Sequence, residues 1–172
     1  TFYGVDSELL LFNNDQKYSW IFDQYPISDE SVQLYNKSYN FNPSYYYIDG
    51  IFGIGLKRKI TGIFKNIIKK LEHCPLIISI DIPSGINCDS GMIEGSSIIS
   101  QMTLALGYPK LGHYFNIGLE VSGFVHILDI GFNSLQNKSH LIKQIEYSDI
   151  KNIGPKEFKN DNKYTRGKLI CI

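Results

Sequence analysis

The run Leu76-Ile-Ile-Ser-Ile-Asp-Ile82 constrains the fold more than any other feature of the chain. It is rich in β-branched side chains, and only Ser79 and Asp81 interrupt its apolar character. β-Branched residues fit a pleated surface, and a run without polar alternation suits a central parallel strand buried on both faces. It is strand-sized and far too short to span a bilayer. A parallel strand needs a crossover from its neighbour, and residues 61–73 supply one. There Ile63, Phe64, Ile67, Ile68 and Leu71 share one helical face, while Lys65, Lys69 and Lys70 lie on the water-facing side.

Further strands are expected at residues 8–12, 45–49, 102–106 and 124–130, with the polar turn Asn13-Asn14-Asp15-Gln16 after the first. Residues 28–35 read as the start of a helix, capped by Ser28 and carrying Asp29 and Glu30 where the helix dipole favours acid. Strand, helix and strand in alternation predict the α/β class. The architecture is a Rossmann-like three-layer α/β/α sandwich with a mainly parallel sheet and helices on both faces. Such sheets bind ligands beyond the carboxyl ends of their strands. The loops at 49–59 and 81–91 both start at strand ends, so they are expected side by side on the ligand edge.

Composition narrows the partners. Seventeen Lys and Arg balance seventeen Asp and Glu, so no global basic field gathers nucleic acid or an anionic membrane. A small phosphate-bearing ligand stays compatible, because backbone donors hold phosphate without net charge. Cys74, Cys88 and Cys171 are odd in number and lack metal-type spacing, which points to a reducing cytoplasm rather than a disulfide framework. The first residues also lack the charged start and apolar stretch of a signal peptide.

Three loops carry candidate chemistry. Asp49-Gly-Ile-Phe-Gly-Ile-Gly-Leu-Lys-Arg58 joins a strand-end carboxylate to close-set glycines and two basic residues ahead of a helix. Glycines admit a ligand close to backbone N–H groups, and a helix N-terminus favours phosphate. A tight turn with solvated Lys57 and Arg58 explains the pattern equally well, since it is neither GxGxxG nor a Walker loop. In Asp81-Ile-Pro-Ser-Gly85 a carboxylate ends an apolar strand, where burial is costly unless it is paired or faces a polar site. The plainer alternative is that Asp81 caps its own loop by accepting backbone N–H bonds. Thr103-Leu-Ala-Leu-Gly-Tyr-Pro-Lys-Leu-Gly112 places Lys110 within reach of the same crevice, although such a lysine is more often solvated. His113 beside it has no visible partner and reads as incidental.

These blocks, with Gly-Phe-Val-His-Ile-Leu-Asp-Ile-Gly at 123–131, resemble in order and spacing the NAD(P)HX epimerase family, the YjeF N-terminal domain. The resemblance covers residues 45–132 closely and the preceding segment loosely. The tail, Lys163-Tyr-Thr-Arg-Gly-Lys-Leu-Ile-Cys-Ile172, looks like the opening strand of a ribokinase-like ADP- or ATP-dependent NAD(P)HX dehydratase. The domains implied are thus 1–132 for the epimerase, 133–162 for a connector and 163–172 for the start of the dehydratase.

By that resemblance the protein interconverts R and S epimers of hydrated NADH or NADPH, so that an S-specific dehydratase restores the cofactor. Gly53, Ile54, Gly55, Leu56, Lys57, Arg58 and Lys59 would bind the substrate phosphates. Asp81 would touch the hydrated nicotinamide and is the catalytic candidate, because stereochemical exchange needs acid–base assistance. Asp49 and Ser84 would help hold a potassium ion, a hard cation suited to oxygen ligands. The implied partners are the NADHX or NADPHX substrate and a dehydratase domain or chain, in the cytoplasm, with a homodimer also compatible.

The resemblance has gaps. The family's Asn-Asn-Gly-Gly-Asp loop is missing, Asn13-Asn14-Asp15 lacks its glycines, and Ile54 stands where the family typically has Thr. The expectation is an epimerase domain that has lost its first strand and glycine-rich loop. A split or decaying gene, an incomplete gene reading or an artefact of the segment's bounds would each explain that. The alternative class is a non-catalytic Rossmann-like binding or scaffold module.

Overall fold

The apolar run forms an inner strand of a four-stranded parallel sheet. The computed structural model describes residues 7–12, 24, 31–132, 142, 145 and 147–151. In chain order its main elements are β1 (Leu9–Leu11), β2 (Val32–Leu34), β3 (Tyr46–Asp49), α1 (Gly62–Leu71), β4 (Leu76–Ile80), β5 (Met102–Leu106), α2 (Asn116–Val121) and β6 (Phe124–Leu128). The larger sheet is ordered β3-β4-β5-β6, all parallel, and β1 pairs with β2 in a separate parallel ribbon. The chain divides into two compact units, Thr1–Phe132 and Asn133–Ile172. In the second, the described residues include a short helix, α3 (Tyr147–Ile150).

Each crossover in the larger sheet steps the same way. Right-handed connections that never reverse direction must all lie on one face. That face is the buried one, because Ile77, Ser79, Thr103 and Ala105 have almost no exposed surface. Helix α1 covers it with Ile67, Ile68 and Leu71, packed with Ile77, Leu56, Ile60 and Ile98. Burying each such side chain contributes about 1.5–3 kcal/mol, so the stripe fastens helix to sheet. On the opposite face Tyr46 and Ile48 are 77% and 73% exposed. Helices on that face, which three layers require, are not among the described residues. The strand expected to be buried on both sides is therefore buried on one and half-covered on the other.

Two further expectations change. Residues 32–34 form strand β2 instead of continuing a helix, since Val32 and Leu34 pair in register with Leu9 and Leu11. Phe12 and Tyr35 close the ribbon with ring centroids 5.3 Å apart, and Phe12 packs edge-on against Phe64 of α1. That tertiary anchoring outweighs a weak helix start signal. Ser28, Asp29 and Glu30, the turn at 13–16 and the tail at 163–172 lie outside the described residues. Lys70, expected to face water, donates to the carbonyls of Tyr39 and Lys37 at 2.7 and 3.2 Å and ties the β2–β3 connection to α1.

Candidate functional site

The register of β3 on β4 sets Asp49 beside Ser79, and the chain then turns at Asp81 into the loop carrying Ser84. Asp49 is only 4% exposed, which demands partners for its carboxylate. It has four. Ser79 Oγ and the Ser84 amide donate to Oδ2 at 2.7 and 2.8 Å, while Ser84 Oγ and the Ile51 amide donate to Oδ1 at 2.6 and 3.3 Å. Because the Ser79 proton is committed to Asp49, Ser100 must donate to Ser79 in the adjoining contact. Ser84 Oγ also accepts from the Phe52 amide at 2.9 Å, joining the two loops.

The turn that makes this possible needs glycine. Gly85 has φ +104°, and a Cβ there would stand 1.9 Å from the Ser96 carbonyl oxygen. Ile86 is buried behind it, and Ile98 N donates to the Ser84 carbonyl at 2.9 Å, so the loop is fixed from both sides.

Asp81 is built differently. Its φ is +71°, a left-handed conformation uncommon outside glycine. The side chain is 14% exposed and forms an ion pair with Lys110 through Oδ1, which also accepts the Leu106 amide at 3.3 Å. Oδ2 has no hydrogen-bond partner among the described residues, and it faces Gly53, where a Cβ would sit 3.7 Å away. One carboxylate oxygen is therefore held, and the other is presented to the glycine-rich loop.

That loop borders an open cavity of ≈ 400 Å³, lined by Ile51, Phe52, Gly53, Gly55, Leu56, Lys57 and Arg58. Gly53, Ile54, Gly55, Lys57, Arg58 and Lys59 are exposed. Among the described residues the backbone N–H groups of Gly53, Ile54 and Gly55 have no acceptor within the protein, nor do those of Lys57 and Arg58. Unspent amides beside three cations suit an anion. Leu56 departs from its neighbours: its side chain is 8% exposed and packs in the core, so it anchors the loop from beneath.

Lys110, which the sequence placed within reach of this crevice, and His113, which it read as incidental, both join the site. Lys110 is in the ion pair, and it also donates to the Leu106 carbonyl at 3.0 Å. His113 is 1% exposed and bonds the Asp81 carbonyl oxygen through Nε2 at 2.9 Å. Burial lowers its pKa from the ordinary histidine value; the nearby Lys110 charge adds to this, while the Asp81 contacts oppose it. Only the i, i+3 spacing of Lys110 and His113 hinted at this, and the spacing alone names no partner.

A parallel sheet with two acidic strand ends beside a basic glycine loop defines an α/β domain, a class whose sheets bind ligands at the carboxyl edge. Comparison with known families places it further: residues 14–112 match the YjeF-related protein N-terminus, and the chain belongs to that family. The match begins upstream of the motifs quoted above and stops before the block at 123–131. The chain is similar to the NAD(P)H-hydrate epimerase of Levilactobacillus brevis, 34% identical over 94 residues, covering 54% of this chain and 44% of that protein. It is also similar to the bifunctional NAD(P)H-hydrate repair enzyme Nnr of Dictyoglomus turgidum, 33% identical over 132 residues, covering 73% of this chain and 25% of that protein. It thus spans less than half the length of either curated relative. Among solved structures, yeast ynu0 (YNL200c) shares the fold with a TM-score of 0.55 and 22% identity, over 66% of this chain and 52% of that one.

Proposed function

We propose that the protein acts in NAD(P)H-hydrate epimerisation, exchanging the R and S forms of hydrated NADH or NADPH ahead of an S-specific dehydratase domain or chain. One observation carries the reading: Asp81 turns toward the glycine-rich loop the one carboxylate oxygen that has no partner among the described residues, while its other oxygen is held by Lys110 and Leu106. Oδ2 is then the atom placed to give the acid–base assistance that exchange of configuration needs. The open amides of residues 53–55 and the side chains of Lys57, Arg58 and Lys59 bind the substrate phosphates. The names of the curated relatives support the substrate class.

A potassium ion fits the chemistry of the neighbouring group. The donors are oxygens throughout: the Asp49 carboxylate, Ser84 Oγ and, 3.3 Å from that hydroxyl, the Phe52 carbonyl. Asp49 and Ser84 would hold the ion, whose charge would favour negative charge on a bound substrate. The glycine-loop geometry would respond, because Ser84 links the two loops.

The test mixes the full chain with R-NADHX, potassium and an S-specific dehydratase, and follows recovery of NADH. Acceleration above the spontaneous epimerisation rate is expected. A rate equal to the spontaneous one, with substrate analogues still bound, would favour a non-catalytic binding module instead.

A further inference from the structure

The cluster behind Asp81 gives Lys110 a specific task. His113 Nδ1 lies 3.1 Å from the Lys110 backbone nitrogen, and a backbone amide can only donate. Nδ1 is therefore an unprotonated acceptor, and in the neutral ring the proton sits on Nε2. That N–H donates to the Asp81 carbonyl, bracing the backbone where its φ is left-handed. Both ring nitrogens are spent and the ring is buried, so His113 has no atom left for a substrate. Lys110 works on the other end of the same residue. Its ammonium takes Oδ1 of Asp81, and the Leu106 carbonyl and amide fix the ammonium and that oxygen in turn.

We propose that Lys110 is a positioning residue for Asp81: by holding Oδ1 it leaves Oδ2 as the single oxygen directed at the ligand, with His113 bracing the backbone beneath. The inference rests on the functional reading above for its kinetic consequence, but the contact is independent of it. The pair is largely shielded, with Lys110 18% and Asp81 14% exposed, so it holds its geometry; freedom of the carboxylate to rotate would cost orientation, which is where rate is lost. An arginine is a poor replacement, because its fork tends to grip both carboxylate oxygens and would occupy Oδ2.

The experiment uses Lys110→Ala in the full chain, with and without added ethylammonium. The variant is expected to lower kcat by about tenfold or more while KM stays within about twofold, the pattern of lost orientation. Ethylammonium, filling the vacated space, should restore part of kcat in a saturable manner. A kcat within about twofold of wild type, or a loss confined to KM, overturns the proposal. A second measurement does not need turnover: the carboxyl 13C resonance of Asp81, assigned by its loss in Asp81→Asn, should move in Lys110→Ala and return with ethylammonium. An unmoved resonance overturns the contact whatever the protein does. If the wild-type chain fails to accelerate epimerisation, the functional reading fails, while the resonance still decides whether Lys110 holds Asp81.

Discussion

Asp49 and Asp81 lie at the carboxyl ends of neighbouring strands and look alike in sequence, yet the fold uses them in opposite ways. Asp49 is sealed, with four protein donors on its two oxygens and almost no exposed surface. Asp81 has a left-handed backbone, keeps some exposure, and leaves one oxygen without a donor among the described residues. The difference comes from neighbours rather than from the residue. Asp49 is in register with Ser79 and sits under the Ser84 turn, which closes over it; Asp81 lies beyond the last paired residue of β4, where among the described residues only Lys110 and the Leu106 amide reach its carboxylate. A carboxylate matched by donors from its own loops organises structure, and would exchange one of them to hold a cation, whereas one with an oriented oxygen clear of such donors is equipped for proton transfer.

The comparison breaks most visibly at Asp49. Asp49→Ala strands the Ser79 and Ser84 hydroxyls and the Ser84 and Ile51 amides, several of them buried. Unsatisfied donors cost about 1–3 kcal/mol each, and with partial relaxation a loss of about 3–5 kcal/mol is expected in urea denaturation. A loss below about 1 kcal/mol would mean that the network contributes no stability. Asp81→Asn should do the reverse. Its amide oxygen can still accept from the Leu106 amide and the Lys110 ammonium, so stability should fall by no more than about 2 kcal/mol, while accelerated epimerisation falls by about 100-fold or more. Retained acceleration removes Asp81 from the reaction.

Much of the frame that holds the two carboxylates was legible in the sequence. The apolar run at 76–82 announced an inner parallel strand, the stripe at 63–71 announced its covering helix, and the two loops that begin at Asp49 and Asp81 do meet through Ser84 and Phe52. What sequence could not assign was which carboxylate is sealed, because that depends on strand register and on Gly85, where no side chain fits. Ser79 was visible only as an interruption of an apolar run. His113 looked incidental for a similar reason: its partner is the backbone carbonyl of a residue 32 positions away, and no side-chain pattern reports on a carbonyl. Val32–Leu34 misled in the other direction, since local cap signals upstream say nothing about a partner strand at Leu9–Leu11.

The smallest effect concerns the brace beneath Asp81, and acid is its probe. Burial holds the His113 pKa below its ordinary value, so the unfolded chain takes up a proton there more readily than the native one. Stability from this site is therefore complete above the unfolded histidine value, about 6.5, and is lost as pH falls from there toward the lower native value. The slope cannot exceed about 1.4 kcal/mol per pH unit for one proton. The groups facing the ring, Lys110 and Asp81, are retained in His113→Gln, so the difference between the two proteins isolates this ring. Denaturation at pH 7.5 and 5.5 should show the wild type losing more stability on acidification than His113→Gln. Parallel losses would mean that the native ring takes up its proton as readily as the unfolded one. The fold would then hold no preference for the neutral ring, and the account of a neutral brace that lets Asp81 differ from Asp49 would fall.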